Sequence, residues 1–262
     1  MAGQGVFHHY DVPSVLAPYV RRLWSYRCEQ ADGFERIVPD GCPELVIDLA
    51  DPTQELTADG QQAIQPAILM AGQLTRPMTL KTHGRIHVVG VGFQPDGARD
   101  FWGAPLHTLT DRRLDASSRL PARIVALEHE AELVAGLTDW LVHQASGWSL
   151  DQEVRAALSR DTVLDHTAAE RRNLQRRFLD RVGVSSRMLR SVLRFRSVFD
   201  RAEDNAGWLE AGLNAGYFDQ PQLARDFRRF LGCSATQWAR EELALSRAIL
   251  SSSYKPDGTS SS

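Results

Sequence analysis

"GYFDQPQLARDFRRFLG", Gly216 to Gly232, decides how this chain is read. Leu223, Phe227 and Phe230 recur at i, i+4 and i+7, which lines one side of an α-helix with apolar surface. At about 100° per residue, Pro221, Arg225 and Arg228 fall nearly opposite Leu223, flanked by Gln222 and Arg229. Upstream, "WLEAGLNA" supplies a short apolar helix and Gly216 can take the left-handed conformation that ends it. Asp219 is placed to cap the next helix, whose first turn holds Pro221. Helix, glycine turn and capped second helix make a helix-turn-helix, a motif whose second helix lies in the major groove of DNA. The polar face then has a use, because arginine forks onto guanine and glutamine onto adenine.

A weak duplication strengthens this. "ERRNLQRRFLDRVG", Glu170 to Gly183, repeats the order of Leu, Phe four residues later and Gly five after that, with Arg two before the Phe. Arg172, Gln175 and Arg176 occupy the matching polar side. Two readers set one DNA turn apart would cover adjacent major-groove segments without dimerisation. In this first copy Glu170 stands at the expected N-cap, and Asp161 to Thr167 has room for about two helical turns, with Ala168 at the turn. A carboxylate there would weaken a phosphate contact. Arg177, Arg181, Arg228 and Arg229 are read as phosphate clamps or as bridges to Asp180 and Asp226. Leu174, Leu223, Phe178, Phe227 and Phe230 are read as core.

Charge divides the chain in the same place. Residues 1–159 carry 13 Arg and Lys against 20 Asp and Glu, whereas residues 160–247 carry 16 Arg against 12 acids. An acidic body joined to a basic module suits a polyanion partner despite a net charge of −3. With 43% apolar and 24% charged residues in 262, the chain is expected to fold. No stretch approaches the roughly 20 apolar residues of a membrane span, and "MAGQGVFHHYD" lacks secretory features, so a cytoplasmic, nucleoid-associated protein is expected, with no membrane partner.

The acidic half has a different grammar. Short β-forming runs, "VRRLWSYRC", "ELVIDLA", "AILMAGQ", "MTLKTHG" and "IHVVGVGFQP", alternate with turn segments and predict a sandwich or cupin-like barrel. The fold class expected is therefore α+β, with a β-rich domain over 1–118, a helical linker over 119–147, an all-α double helix-turn-helix domain over 148–250 and a disordered tail over 251–262. In the linker the spacing is helical, and Ile124, Leu127, Ala131, Val134, Leu137 and Leu141 form one apolar stripe, with Glu128 and Glu132 on the polar side. "PDGCPE" reads as a turn, and Trp24, Asp40, Glu44 and Phe93, with Trp102, are the effector-pocket candidates. Cys28, Cys42 and Cys233 form no C-x-x-C pair, and neither His8, His9 and Asp11 nor Cys42 and Glu44 match a metal-ligand spacing, so no metal and no cofactor are expected.

Trp208 to Gly232 resembles the second helix-turn-helix of AraC/XylS-type transcription regulators, and the resemblance extends over roughly Leu150 to Glu242. "VPDGCPELVIDLA", "AGQLTRP" and "GVGFQPDGARDFWGAPLHTLTDR" resemble the sub-group with an uncharacterised N-terminal domain. The resemblance implies a seven-helix module that binds double-stranded DNA, joined to a domain that senses a small-molecule or protein effector, dimerises, or both. RNA polymerase is a further partner in that scheme. By position, the base-reading candidates are Arg172, Gln175 and Arg176 in the first unit and Gln220, Pro221, Gln222 and Arg225 in the second.

No G-x-S-x-G, P-loop or H-E-x-x-H motif is present, and "GVGF" at Gly90 runs into "QPDG" without opening the helix that dinucleotide binding needs, so no enzyme is expected. The alternative is a ligand-binding or protein-interaction β-domain carrying a degenerate helical module. Under the main reading, the helices from Pro121 to Ala145 relay the state of the β domain, and the acidic half holds the arginine-rich half off DNA.

Overall fold

The structure is a computed structural model that describes residues 5–51, 53–57, 60–159, 167–202 and 207–240. Its first half is one antiparallel sheet: β1 (Val6–Tyr10), β2 (Val20–Ile37), β3 (Glu44–Asp48), β4 (Gln54–Leu56), β5 (Gln62–Ile64), β6 (Ile68–Ala71), β7 (Met78–Phe93) and β8 (Arg113–Asp115). The order is β1-β2-β7-β3-β6-β8, with β4 between β5 and the far half of β7. The runs "MTLKTHG" and "IHVVGVGFQP", expected as two strands, are one, because β7 continues through Gly84 at φ +80°. Opposite it, β2 shifts register between Cys28 and Ala31, a bulge that bends both strands. The near and far halves of the sheet thereby face each other across a cavity. Ile37, Met78 and Leu80 line it from the far half, and Trp24, Val46, Ile86 and Val88 from the near half.

Both faces of the near half are covered, so β2 is buried continuously from Arg22 to Tyr26 instead of at alternate positions, although Arg22 and Ser25 are polar. Leu23, Leu45, Ile47, Val89, Val91 and Phe93 point outward, away from the cavity, into a core shared with helices. Those helices are α1 (Arg99–Trp102), α2 (Ala122–Val125) and α3 (Glu130–Ala145). The stripe expected from Pro121 to Ala145 is divided between two helices, because the chain leaves helical geometry before α3, with His129 at ψ 127°. The break resets the phase of the stripe: Leu133, Leu137, Leu141 and Ala145 are buried and Ala131 is exposed. This segment is therefore part of the β-domain core and not a free linker.

Glu130 fastens α3 to the sheet. Its carboxylate accepts hydrogen bonds from Tyr10, from Ser25 Oγ at 3.0 Å and from Arg27 Nε at 2.8 Å, and lies 2.7 Å from His87 Nε2. Burial alone would raise this carboxyl, but the bonds from Tyr10, His87, Ser25 and Arg27 outweigh it and hold it at about 2, below its ordinary 4.5. A group depressed in this way contributes stability that is complete above about 4.5 and is lost as pH falls toward about 2. Urea unfolding across that window is expected to show a shallower acid loss for Glu130→Gln than for the wild type. Identical slopes would mean the cluster does not tie α3 down.

The second half comprises α4 (Gln152–Ser159), α5 (Ala168–Val182), α6 (Ser186–Ala202), α7 (Trp208–Asn214), α8 (Gln220–Leu231) and α9 (Ala235–Arg240). The 17-residue α6 joins two cores: Leu189 packs with Val154, Phe178 and Val182 of the first unit, and Phe195 and Phe199 pack with Phe227 and Phe230 of the second. The helix expected over Asp161 to Thr167 and the tail over 251–262 lie outside the described residues, save Thr167. Among the described residues no helix is long and apolar enough to cross a membrane.

The two halves share a core. Val38, in the loop after β2, packs into the cluster of Phe195 and Phe230. At Gly41, where φ is +83°, a Cβ would lie 2.8 Å from Leu193 Cδ2 of α6. Asp96 receives Arg155 of α4 through two bonds of 2.8 and 2.7 Å, Arg99 reaches Asp180 of α5 at 2.9 Å, and Thr110 Oγ1 donates to Gly183 O at 2.6 Å.

Candidate nucleic-acid interface and β-domain cavity

The second helix-turn-helix forms as its residues dictate. Gly216 has φ +85°, the Asp219 carboxylate accepts from Gln222 N at 2.7 Å, and Gly232 ends α8 at φ +73°. Leu223, Phe227, Phe230 and Leu231 are buried. The two helices meet closely because residue 212 lacks a side chain: a Cβ on Gly212 would lie 2.6 Å from Leu223 Cδ2. On the outer side Gln220, Pro221, Arg225 and Arg228 are exposed. Gln222 is half-buried and its Oε1 accepts from Phe218 N at 3.0 Å, which ties the side chain to the turn. Arg229 is exposed, with Nη2 3.3 Å from Met188 Sδ and the guanidinium over the Phe230 ring.

In the first unit the second helix, α5, starts earlier than expected. Thr167, not Glu170, is the N-cap of α5, and Glu170 is the third residue of a capping box. Its carboxylate accepts from Thr167 N at 2.7 Å and from Thr167 Oγ1 at 2.9 Å, which ties it to the helix end. Ala168 is the first helical residue instead of the turn. Arg172, Gln175 and Arg176 are exposed, with Arg176 Nη2 3.0 Å from Asn173 Oδ1. The two arginines assigned to phosphate in this unit are used inside the protein. Arg177 binds Asp151 through Nε at 2.7 Å and Glu153 at 2.8 Å. Arg181 donates to Ser149 O at 2.7 Å beside Asp100. The acids expected to bridge to them go elsewhere: Asp180 takes Arg99, and Asp226 takes Arg194 at 3.2 Å and Tyr217 at 2.8 Å.

In the β domain, Trp24, Asp40 and Glu44 line the cavity. Phe93 and Trp102 belong to the opposite, helix-facing core, because residue 93 falls on the outward side of β7. The two glycines of "GVGF" make room for β2 side chains. A Cβ at Gly90 would collide with the Trp24 indole, and one at Gly92 would lie 2.8 Å from Arg22 Cγ. Across Gly92, Arg22 Nε reaches Glu44 Oε1 at 3.0 Å and its Nη2 reaches Asp40 Oδ2 at 2.8 Å. Asp40 also receives Cys42 N at 3.0 Å and Arg196 Nη1 of α6 at 3.4 Å. Burial alone would raise Asp40, but Arg22, Arg196 and Arg21 outweigh it and hold it below the ordinary carboxylate value. Cys42 is shifted the other way, its thiol pushed up by burial, the reverse of what a reactive thiolate needs. No sequence signal marked Arg22, Asp48 or Arg196.

A family model described as Domain of unknown function (DUF6597) matches residues 8–115. No curated protein matches the chain. Among solved structures, ToxT from Vibrio cholerae O395 aligns over 91% of this chain and 100% of its own at 9% identity and a TM-score of 0.43. ToxT bound to (E)-4-(8-methylnaphthalen-1-yl)but-3-enoic acid aligns over 90% and 98% at 9% identity and 0.44. The Cupin_2 domain of an XRE family transcriptional regulator from Enterobacter cloacae aligns over 34% of this chain and 95% of its own, at 11% identity and 0.27.

Proposed function

We propose that this chain is a sequence-specific DNA-binding transcription regulator of AraC/XylS type, controlled by an effector or partner at its β domain. One observation carries the reading: α5 and α8 each bury an apolar face against α6 or its neighbours and leave a polar one exposed, Arg172, Gln175 and Arg176 on α5 and Gln220, Pro221 and Arg225 on α8. These residues stay exposed with the β domain docked. Control in this scheme therefore acts on how α6 holds the two readers, and not by covering them. RNA polymerase and a second copy of the chain are partners that belong to the same reading. No enzymatic step is assigned. Fluorescence anisotropy of the full chain on duplex DNA at several salt concentrations tests it. Binding should weaken as a power of salt, with a slope of about −0.9 per phosphate neutralised. Absence of binding at low salt would sink the proposal.

A further inference from the structure

The β-domain cavity has chemistry specific enough to select a ligand. Its free interior is about 100 Å³, and about 940 Å³ when the open mouth and the crevices between wall atoms are included. Its walls are hydrocarbon from Val46, Leu69, Leu80, Ile86 and Val88. Polar groups gather at its two ends. Asp40, Cys42 and Glu44 stand at one, and Asp48, Thr53 and Gln65 at the other. Glu44 and Asp48 lie four residues apart on one face of β3, about 13 Å at the rise of a strand.

The charges at the two ends differ in what they already hold. Asp40 and Glu44 share Arg22, whose guanidinium sits over Gly92. Arg113, the cation of the lining, is bound by Glu55, and its Nη1 donates to Asp111 O at 2.8 Å. Asp48 has no cationic side chain in an ion pair with it among the described residues; it accepts from backbone N–H groups nearby, Ala50 N of its own turn at 3.0 Å and Thr53 N. Burial raises the Asp48 carboxyl above its ordinary value, a cost that a bound cation would offset. A carboxylate ligand would meet three lining carboxylates, with the one lining guanidinium already engaged.

We infer that the cavity binds an amine with an extended apolar body, its ammonium at Asp48 and its hydrocarbon along β3 toward Glu44. This rests on reading the β domain as the effector domain, and it names the effector's chemical class. An ammonium supplies the cation that Asp48 lacks, and the apolar stem replaces water along the walls.

Isothermal titration of the full chain without DNA, using n-octylamine, 1-octanol and sodium octanoate at neutral pH and below self-association, provides the test. Octylammonium should bind at least about ten-fold tighter than octanoate, with octanol between them. Asp48→Asn, whose amide oxygen can still accept from Ala50 N, should remove the preference for the amine and leave octanol unchanged. The wild-type ranking needs no variant. Octanoate equal to or tighter than octylammonium, a preference that survives Asp48→Asn, or no binding by any of the three overturns the inference. Because no DNA is present, its failure is separable from that of the regulator reading, which the anisotropy measurement decides.

Discussion

Asp40→Ala is expected to destabilise the protein by about 3 to 5 kcal/mol, the cost of removing one partner from a buried ion network. The carboxylate lies among Arg21, Arg22 and Arg196, all three close enough to lower its pKa. Arg22 and Arg196 are 6% and 1% exposed, so neither can turn to water when it goes. Asp40→Asn should fare little better, because the amide keeps the shape and loses the charge. Arg196→Met should cost less than Asp40→Ala, since Arg22 still neutralises the carboxylate and a methionine stem still fills the space between the halves. Urea unfolding of the three variants gives the order directly. A loss below about 1 kcal/mol for Asp40→Ala would place the cluster in water instead of in a core.

That variant also bears on how the halves communicate. Val38 and Asp40 both line the cavity, and both touch the helical half, Val38 through Phe195 and Phe230 and Asp40 through Arg196. Arg196 lies on α6, the helix on which both helix-turn-helix units pack. Whatever fills the cavity near Asp40 therefore acts one side chain away from the element that spaces α5 and α8. A relay through the segment from Pro121 to Ala145 is a longer route, since α3 packs on the opposite face of the sheet from the cavity.

What can be read from sequence is local. The α8 unit follows from a glycine, a cap and a three-point apolar stripe within 17 residues, because each of those signals acts within a turn or two of helix. The start of α5 is legible as well: "TAAE" at Thr167 to Glu170 is a capping-box pattern, in which the cap belongs to the first residue and not, as expected, to the last. The β domain is legible as a class but not as strands. A bulge leaves the β pattern intact on both sides, so β7 reads as two strands, and the break before His129 shifts the helical phase without a proline to announce it. The bond between Asp40 and Arg196 spans 156 positions and obeys no spacing rule. The glycines at 90 and 92 mark a close approach, but only the register of β2 against β7 shows that Trp24 and Arg22 are what approaches.

Arg176→Ala combined with Arg225→Ala is expected to lower specific DNA affinity by about 2 to 6 kcal/mol, roughly 30-fold to 25,000-fold, if each guanidinium reads one guanine. Both side chains are exposed on their helices' polar faces, so the double variant should melt close to the wild type. Arg228→Ala tests a different role: removing one phosphate-binding cation should weaken binding to all sequences alike and reduce the salt slope by about one. Arg177→Ala serves as the opposite control, because its guanidinium is held by Asp151 and Glu153 between α4 and α5. Its removal should lower stability and leave the salt slope unchanged. If Arg177→Ala reduced that slope while the Arg176 and Arg225 pair changed nothing, the DNA would lie across the α4 side of the module, and the exposed faces of α5 and α8 would not be the readers.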